Sequence, residues 1–394
     1  MMLETFREFI KERGRHFRKL SALSFTFLIY LLGWGLVTPI FNIRINDITN
    51  SLFLSGIIYS MLGLVMIFLD PNIGRLCDKI NPKRVLQLSL LSYSAVFLCY
   101  TFAYDFTTLL LVRVFHAIAC SGLWVSGWTL IRRKTKGNYA QEEVGFWEMV
   151  QNIAYVIGPM IGGVLISLMP SNFIFYTASI LALLSFFYAT VFIQSEKPVN
   201  NNKQSFREQL DMFFENKASF RISILAFISI SVIVGFSNFL PIQLQNNNIN
   251  IGEISVILAG GYMPYILFPP FVGALSDKYG RKIPTITGLL IISVSLIFLG
   301  ISRSFEQFML FTFLINTGYS FVYSCMNAKL TDLLSIEEAG SLTGVFSMIQ
   351  DTGSAIGPFI AGILISSFGY SNFYLILTVL ILLPVFLIRG LKEY

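Results

Sequence analysis

Few residues in this chain can do chemistry. Its long apolar runs hold one arginine, Arg113, and one histidine three residues on, His116. Their carboxylates include Glu148 and Asp351. An ionisable group in an apolar span is costly, so by default it marks function. Arg113 stays charged and needs a carboxylate, backbone carbonyls or water around it. Asp47 is in reach in principle, and a purely structural pin is the competing reading. His116 shares a helical face with Arg113, and beside a fixed cation a neutral hydrogen-bonding role suits it better than a proton relay. Glu148 is followed on one face by Gln151 and Asn152, and Asp351 stands beside Gln350. A carboxylate in a low-dielectric pocket can exchange protons near neutral pH. Glu148 and Asp351 are therefore the candidate proton carriers, or ligands for a cationic substrate. The competing reading places each in a solvated vestibule, paired with loop cations.

Other chemistries find no residues to support them. The sequence has no paired-aspartate motif, no Gly-x-Ser-Gly site and no Gly-x-x-x-x-Gly-Lys-Ser/Thr phosphate loop. Neither an enzyme nor an ATP-driven pump is expected. With two histidines and four cysteines that form no CxxC pair, neither a metal site nor a cofactor is expected.

The elements that must position these groups are membrane spans. Of 394 residues, 55% are hydrophobic and 13% charged, against roughly 25% charged in soluble domains. No charge falls between Glu148 and Glu196, between Arg221 and Glu253, or between Asp351 and Arg389. A crossing needs about 20 apolar residues. The pattern predicts an all-α membrane protein with twelve spans. The first six are 20–43, 52–71, 84–104, 106–131, 144–168 and 172–194. The second six are 218–244, 253–274, 283–302, 306–329, 340–367 and 372–390. Breaks fall at Pro170-Ser171-Asn172 and Gly369-Tyr370-Ser371-Asn372. Among the 28 basic residues, Arg44 and Arg303 fall in outer loops and Arg113 in a span; the others lie on the side of both termini. The positive-inside rule then makes both termini cytoplasmic. The net charge of +6 is spread between spans, which argues against nucleic acid. Residues 1–19 form a cytoplasmic segment, either a basic tail or a helix lying on the membrane surface. Two six-helix bundles, 20–194 and 218–390, flank a polar linker, 195–217, and 391–394 form a short tail.

The halves repeat. Gly74-Arg75-Leu76-Cys77-Asp78-Lys79 recurs 199 residues on as Gly273-Ala274-Leu275-Ser276-Asp277-Lys278. Gly145 through Gly158-Pro159 recurs as Gly344 through Gly357-Pro358, with Gln151 matching Gln350 and Gly163 matching Gly362. Such a repeat puts a site between two pseudo-symmetric halves that rock about it. Pro39, Pro159, Pro241 and Pro358 are candidate helix bends, and Gly162, Gly163 and Gly362 permit close helix approach. Trp34, Trp124, Trp128, Tyr155, Phe236, Tyr262, Tyr265, Tyr319 and Tyr323 are the aromatics best able to line a cavity.

These motifs resemble the major facilitator superfamily over the whole chain. Gly273 through Lys282, with Gly280, Arg281 and Lys282, is similar to that family's cytoplasmic loop signature. The first copy departs from it at Asn81 and Pro82 but keeps Lys83 and Arg84. Gly158-Pro159-Met160-Ile161-Gly162-Gly163 resembles the signature of the family's proton-coupled exporters. Arg113-Val114-Phe115-His116-Ala117 resembles its span-4 signature, with His116 and Ala117 as departures. The resemblance implies the major facilitator fold and a role for Arg113 in proton coupling or in organising the first helix. It implies that Asp78 latches to the start of span 11 and Asp277 to the start of span 5. Asp70, before Pro71, reads as part of the inner gate.

The expected function is secondary transport of a small solute in the plasma membrane, by a monomer embedded in lipid. A proton-coupled exporter of drug-like compounds leads. The alternatives are a symporter or facilitator for a sugar or other metabolite and, from another class, a transporter-derived sensor.

Overall fold

Local stop signals decide where each apolar run ends. The computed structural model describes residues 2–134, 140–195, 217–333 and 339–388, and side chains within 21–133, 144–195, 219–330 and 345–386. All regular structure among them is helical. The first half holds α1 (Met2–Thr49), α2 (Leu52–Lys79), α3 (Pro82–Thr101), α4 (Phe106–Lys134), α5 (Ala140–Leu168) and α6 (Ser171–Phe192). The second holds α7 (Lys217–Asn246), α8 (Ile251–Tyr262), α9 (Pro264–Leu267), α10 (Pro269–Tyr279), α11 (Lys282–Ile301), α12 (Phe305–Leu333) and α13 (Ala339–Ile388).

Among the described residues nine helices are long and apolar enough to cross a bilayer, and α8–α10, bent by 43°, make a tenth together. The α3 helix falls outside that set because Arg84, Gln87 and a run of serines dilute its apolar residues. The α13 helix is two crossings, broken at Gly369, whose φ of 74° is the left-handed region that glycine enters without strain. These account for twelve segments. The α1 helix shows no break where an N-terminal segment was expected to end, so that stretch continues the first span as helix. The interior of the expected linker 195–217 and the tail 391–394 lie outside the described residues.

The loop-signature departure at Asn81-Pro82 has a local reason. Asn81 caps α3, its side chain accepting from the Lys83 N–H at 2.9 Å, and Pro82 opens the helix where no N–H is needed. At the opposite end of the bundle, Asp105 caps α4 through the N–H groups of Thr107 and Thr108. Asn250 and Glu253 form a reciprocal capping box on α8, both bonds 3.0 Å.

In the first half α1 packs on α5 and α6, α2 on α4, and α3 on α4 and α6. The second half repeats this, with α7 on α13, α8 on α12, and α11 on α12 and α13. The halves meet along two seams, α2 with α13 and α5 with α8. The repeat relates them. A Cβ on Gly362 would lie 2.8 Å from the Leu52 carbonyl oxygen and 3.1 Å from Gly56 Cα, while one on Gly163 would fall on the Ser255 side chain. The 199-residue offset carries Gly163 onto Gly362 and Gly56 onto Ser255. Each seam therefore closes on a glycine, because only a residue without a side chain lets the helices approach so far.

Prolines act differently in different spans. Pro39, Pro71, Pro159, Pro241 and Pro358 lie inside continuous helices. Span 8, expected as one helix over 253–274, is instead broken into α8, α9 and α10. Pro264, Pro269 and Pro270 have no N–H for the carbonyls four residues back, and three losses within seven residues exceed what one helix absorbs.

Candidate functional site

Arg113 is buried, and its hydrogen bonds go to backbone and to His116. Its Nε donates to the Ile58 carbonyl at 3.1 Å and one terminal nitrogen to the Tyr59 carbonyl at 3.5 Å, both in α2. The other terminal nitrogen lies 3.3 Å from His116 Nδ1. Arginine can only donate, so Nδ1 is the acceptor and the imidazole is neutral with its proton on Nε2. The Tyr100 hydroxyl lies 2.9 Å from the same Nδ1, and the Arg113 guanidinium sits 5.3 Å from the Phe41 ring centre. Asp47 is not among these partners. Arg113 thus ties α4 to α2 by hydrogen bonds and to α1 by cation–π contact.

Between the halves runs a row of tyrosines. Tyr155 of α5 stacks on Tyr262 of α8 at 5.0 Å and 18°. Tyr262 meets Tyr265 at 6.1 Å, Tyr265 meets Tyr319 at 6.1 Å, and Tyr319 meets Tyr323 at 5.9 Å. The Tyr265 hydroxyl donates to Asn316 Oδ1 at 2.7 Å. Asn152 of α5 donates to the Tyr265 carbonyl at 3.4 Å, across the halves. Glu148 stands within electrostatic reach of Tyr323, also across the halves. On the other seam Asp351 is within electrostatic reach of Asp70, which accepts a hydrogen bond from Ser121 of α4. The interface therefore combines stacking faces, amide groups and partly buried carboxylates.

Other expected site residues lie elsewhere. Gln151 is buried and donates back to the Trp147 carbonyl at 3.2 Å, while Gln350 is half-buried on α13. Trp34 packs edge-on to His116 and Phe41, and Trp124 joins Phe27, Trp128 and Trp147; both aromatics sit inside the first half. Phe236 is 1% exposed and packs against Tyr374, so it fills the core of the second half. Gly158 packs against Gly35 of α1 and Gly357 against Ser231 of α7. The Gly-Pro pairs therefore bind helices within each half, and a Cβ on Gly162 would strike Leu36 of α1 in the same way.

At the loop-signature end, Asp78 pairs with Arg133 at 3.1 Å and Asp277 with Arg281 at 2.6 Å. Gly74 approaches Val125, Gly273 has open space before it, Gly280 ends α10 at φ 79°, Arg84 is exposed and Lys282 half-buried. The starts of spans 5 and 11, the expected partners of the two aspartates, lie outside the described side chains.

Sequence reasoning missed Ser121 and Asn316. Ser121 carries a signal in the repeat, since its counterpart is Ser320; Asn316 carries none.

Two seams related by the repeat, with polar and aromatic groups gathered between the six-helix halves, are the architecture of a membrane transporter. The model of the Major Facilitator Superfamily matches residues 23–246 and 222–392, and the chain belongs to that family. It is 25% identical over 357 residues to the quinolone resistance protein NorA of Staphylococcus aureus (strain MSSA476), covering 88% of this chain and 90% of that one. It is 23% identical over 350 residues to an uncharacterised MFS-type transporter of Methanocaldococcus jannaschii, covering 87% and 90%. Among solved structures it is similar to the nucleoside transporter NupG (TM-score 0.78, 14% identity, 95% of this chain and 100% of that one). It is also similar to a bacterial homologue of the lysosomal transporter Spinster in an inward-facing, unoccupied conformation (TM-score 0.75, 16% identity, 95% of each chain). The protein is a multi-pass membrane transporter of small molecules and not an enzyme.

Proposed function

We propose that the protein exports drug-like organic compounds from the cytoplasm in exchange for protons, as a monomer in the plasma membrane with both termini cytoplasmic. The observation that carries this reading is the position of Asp351. It lies on seam helix α13, one turn from Ala355, which packs on Gly63 of α2, the helix that carries a second carboxylate, Asp70. Two nearby carboxylates in a low-dielectric seam repel each other when both are charged, so a proton or a cationic group there lowers the energy of the closed seam. Opening the seam separates them and releases the proton, which ties proton occupancy to the side on which the site is open. Glu148, on seam helix α5 of the first half, is the second candidate carrier. The tyrosine row supplies flat apolar faces for an aromatic substrate. Likeness to a quinolone resistance protein supports the export direction.

The test is efflux of a fluorescent cationic dye from proteoliposomes with and without an imposed pH gradient. Gradient-driven flux that Asp351→Asn reduces at least tenfold is expected. Flux independent of the gradient overturns proton exchange and favours a facilitator.

A further inference from the structure

Span 8 and span 2 are counterparts in the repeat, yet only span 8 is broken. The difference sits at two positions, Pro264 where span 2 has Val65 and Pro269 where it has Asp70. Asp70 in α2 corresponds to Pro269 at the start of α10, and Pro71 to Pro270. In the first half, Asp70 accepts a bond from Ser121 of the neighbouring α4, which ties α2 to that helix beside Pro71. The counterpart of Ser121 is Ser320 of α12, which packs beside α9 and α10. Proline offers no acceptor side chain, and the Ser320 hydroxyl is buried with no hydrogen-bond partner among the described residues. The tie present in span 2 is therefore missing from span 8.

The break has a second consequence. Pro269 has no N–H for the Tyr265 carbonyl, which is freed from the helix. Asn152, from the opposite half, donates to that carbonyl at 3.4 Å. The segment before the break also stacks on the first half through Tyr262 and Tyr155. So the side of span 8 before the break is held across the seam. The side after it, α10, packs on α11 and α12 of its own half.

We propose that the break at Pro269-Pro270 is a gate hinge: α10 swings about it while α8 and α9 stay pinned to the first half by Asn152, and span 2, tied by Ser121 to Asp70, moves as a rigid rod. Asn152 is a positioning residue in this device, acting through the Tyr265 carbonyl. Ser320 is left ready to bond a hinge carbonyl when α10 takes its other orientation. With eleven residues in α10 and a bend of 43°, straightening moves the tip by on the order of 10 Å at helical rise. The hinge rests on the transport cycle alone and needs no particular substrate or coupling ion.

The experiment compares spin-label pairs at equivalent positions in the full-length protein in nanodiscs, without substrate. One pair, Lys278→Cys with Leu290→Cys, reports α10 against α11. The other, Lys79→Cys with Leu91→Cys, reports the end of α2 against α3. The expected result is a distance distribution several ångströms wider for the first pair. Pro269→Ala with Pro270→Ala, which restores the missing donors, narrows it to the width of the second. Asn152→Ala widens it further and changes turnover more than substrate affinity. Equal widths for the two pairs in the otherwise unaltered protein overturn the hinge, as does a proline replacement that folds and leaves the width unchanged. Where that replacement fails to insert, the comparison of pairs and Asn152→Ala decide the matter. The widths are read without transport, so failure of proton-coupled export leaves them unaffected.

Discussion

Spans 2 and 8 occupy equivalent places in the two halves and face the opposite half across equivalent seams, but they are built to different mechanical ends. Span 2 carries one proline and stays a single helix of 28 residues. Beside that proline stands Asp70, bonded to Ser121. Span 8 carries three prolines, breaks into three pieces, and leaves Ser320 without a partner among the described residues. One proline costs a helix one hydrogen bond and neighbours compensate; clustered prolines, with no side chain to brace them, produce a joint. Pseudo-symmetry thus fixes where the helices lie without fixing how stiff each one is.

The largest expected effect separates the two seams. Gly163→Ala drives a methyl into Ser255, an overpacking cost of about 1–3 kcal/mol, and transport falls with it. Ser255→Gly rescues that variant, because the next atom, Gly252 Cα, lies 3.6 Å from the added methyl. Gly362→Ala meets the Leu52 carbonyl and Gly56 Cα, which are backbone, and no second substitution can trim them. Dye efflux and thermal stability of the single and double variants check this; rescue that fails at Gly163 shows that this seam, like the other, is limited by backbone contact.

Next come the two serines. Ser121→Ala leaves the Asp70 carboxylate without its described donor and costs about 1–3 kcal/mol. Ser320→Ala removes a hydroxyl that already lacks a partner and is neutral or slightly stabilising in this conformation. Denaturation of both variants in one detergent measures the difference, and equal losses would show that span 8 is braced after all.

The smallest effect concerns a surface cap. The N–H and hydroxyl of Thr108, with the N–H of Thr107, hold the Asp105 carboxyl below the ordinary carboxylate range. A depressed carboxylate contributes stability above its unfolded-state value, and that contribution is lost as pH falls through its lower folded value. The Tm difference between the native protein and Asp105→Asn therefore shrinks as the medium is acidified below about pH 4. The Asn250–Glu253 box on α8 does the same capping work through a reciprocal pair of bonds.

Much of the fold was legible because it is written in composition. Hydrocarbon admits only apolar helices here, so their number, order and repeat can be counted from residues alone. The break at Gly369 was legible for the same local reason, since a Gly-Tyr-Ser-Asn stretch cannot continue a span unaided. The site was legible in part. Tyr155, Tyr262, Tyr265, Tyr319 and Tyr323 form one row, which crosses between the halves at Tyr155 and Tyr262. Phe236 and Trp124 have the same types and fall inside the halves, because periodicity does not say which neighbour a face meets. Arg113 was recognisable as costly, but its partners are carbonyls of α2, and backbone acceptors leave no mark in the sequence.

The sequence by itself determined that this chain spans a membrane in two repeated halves, and which few residues carry charge there, because burial in hydrocarbon is paid for residue by residue. Only the tertiary structure decided that Asp70 is braced by Ser121 and that Ser320 has no partner among the described residues. It alone set Asn152 against a carbonyl freed by a proline in the other half. Hydrogen bonds between distant helices depend on depth and rotation around each axis, which a sequence leaves open until the seams close.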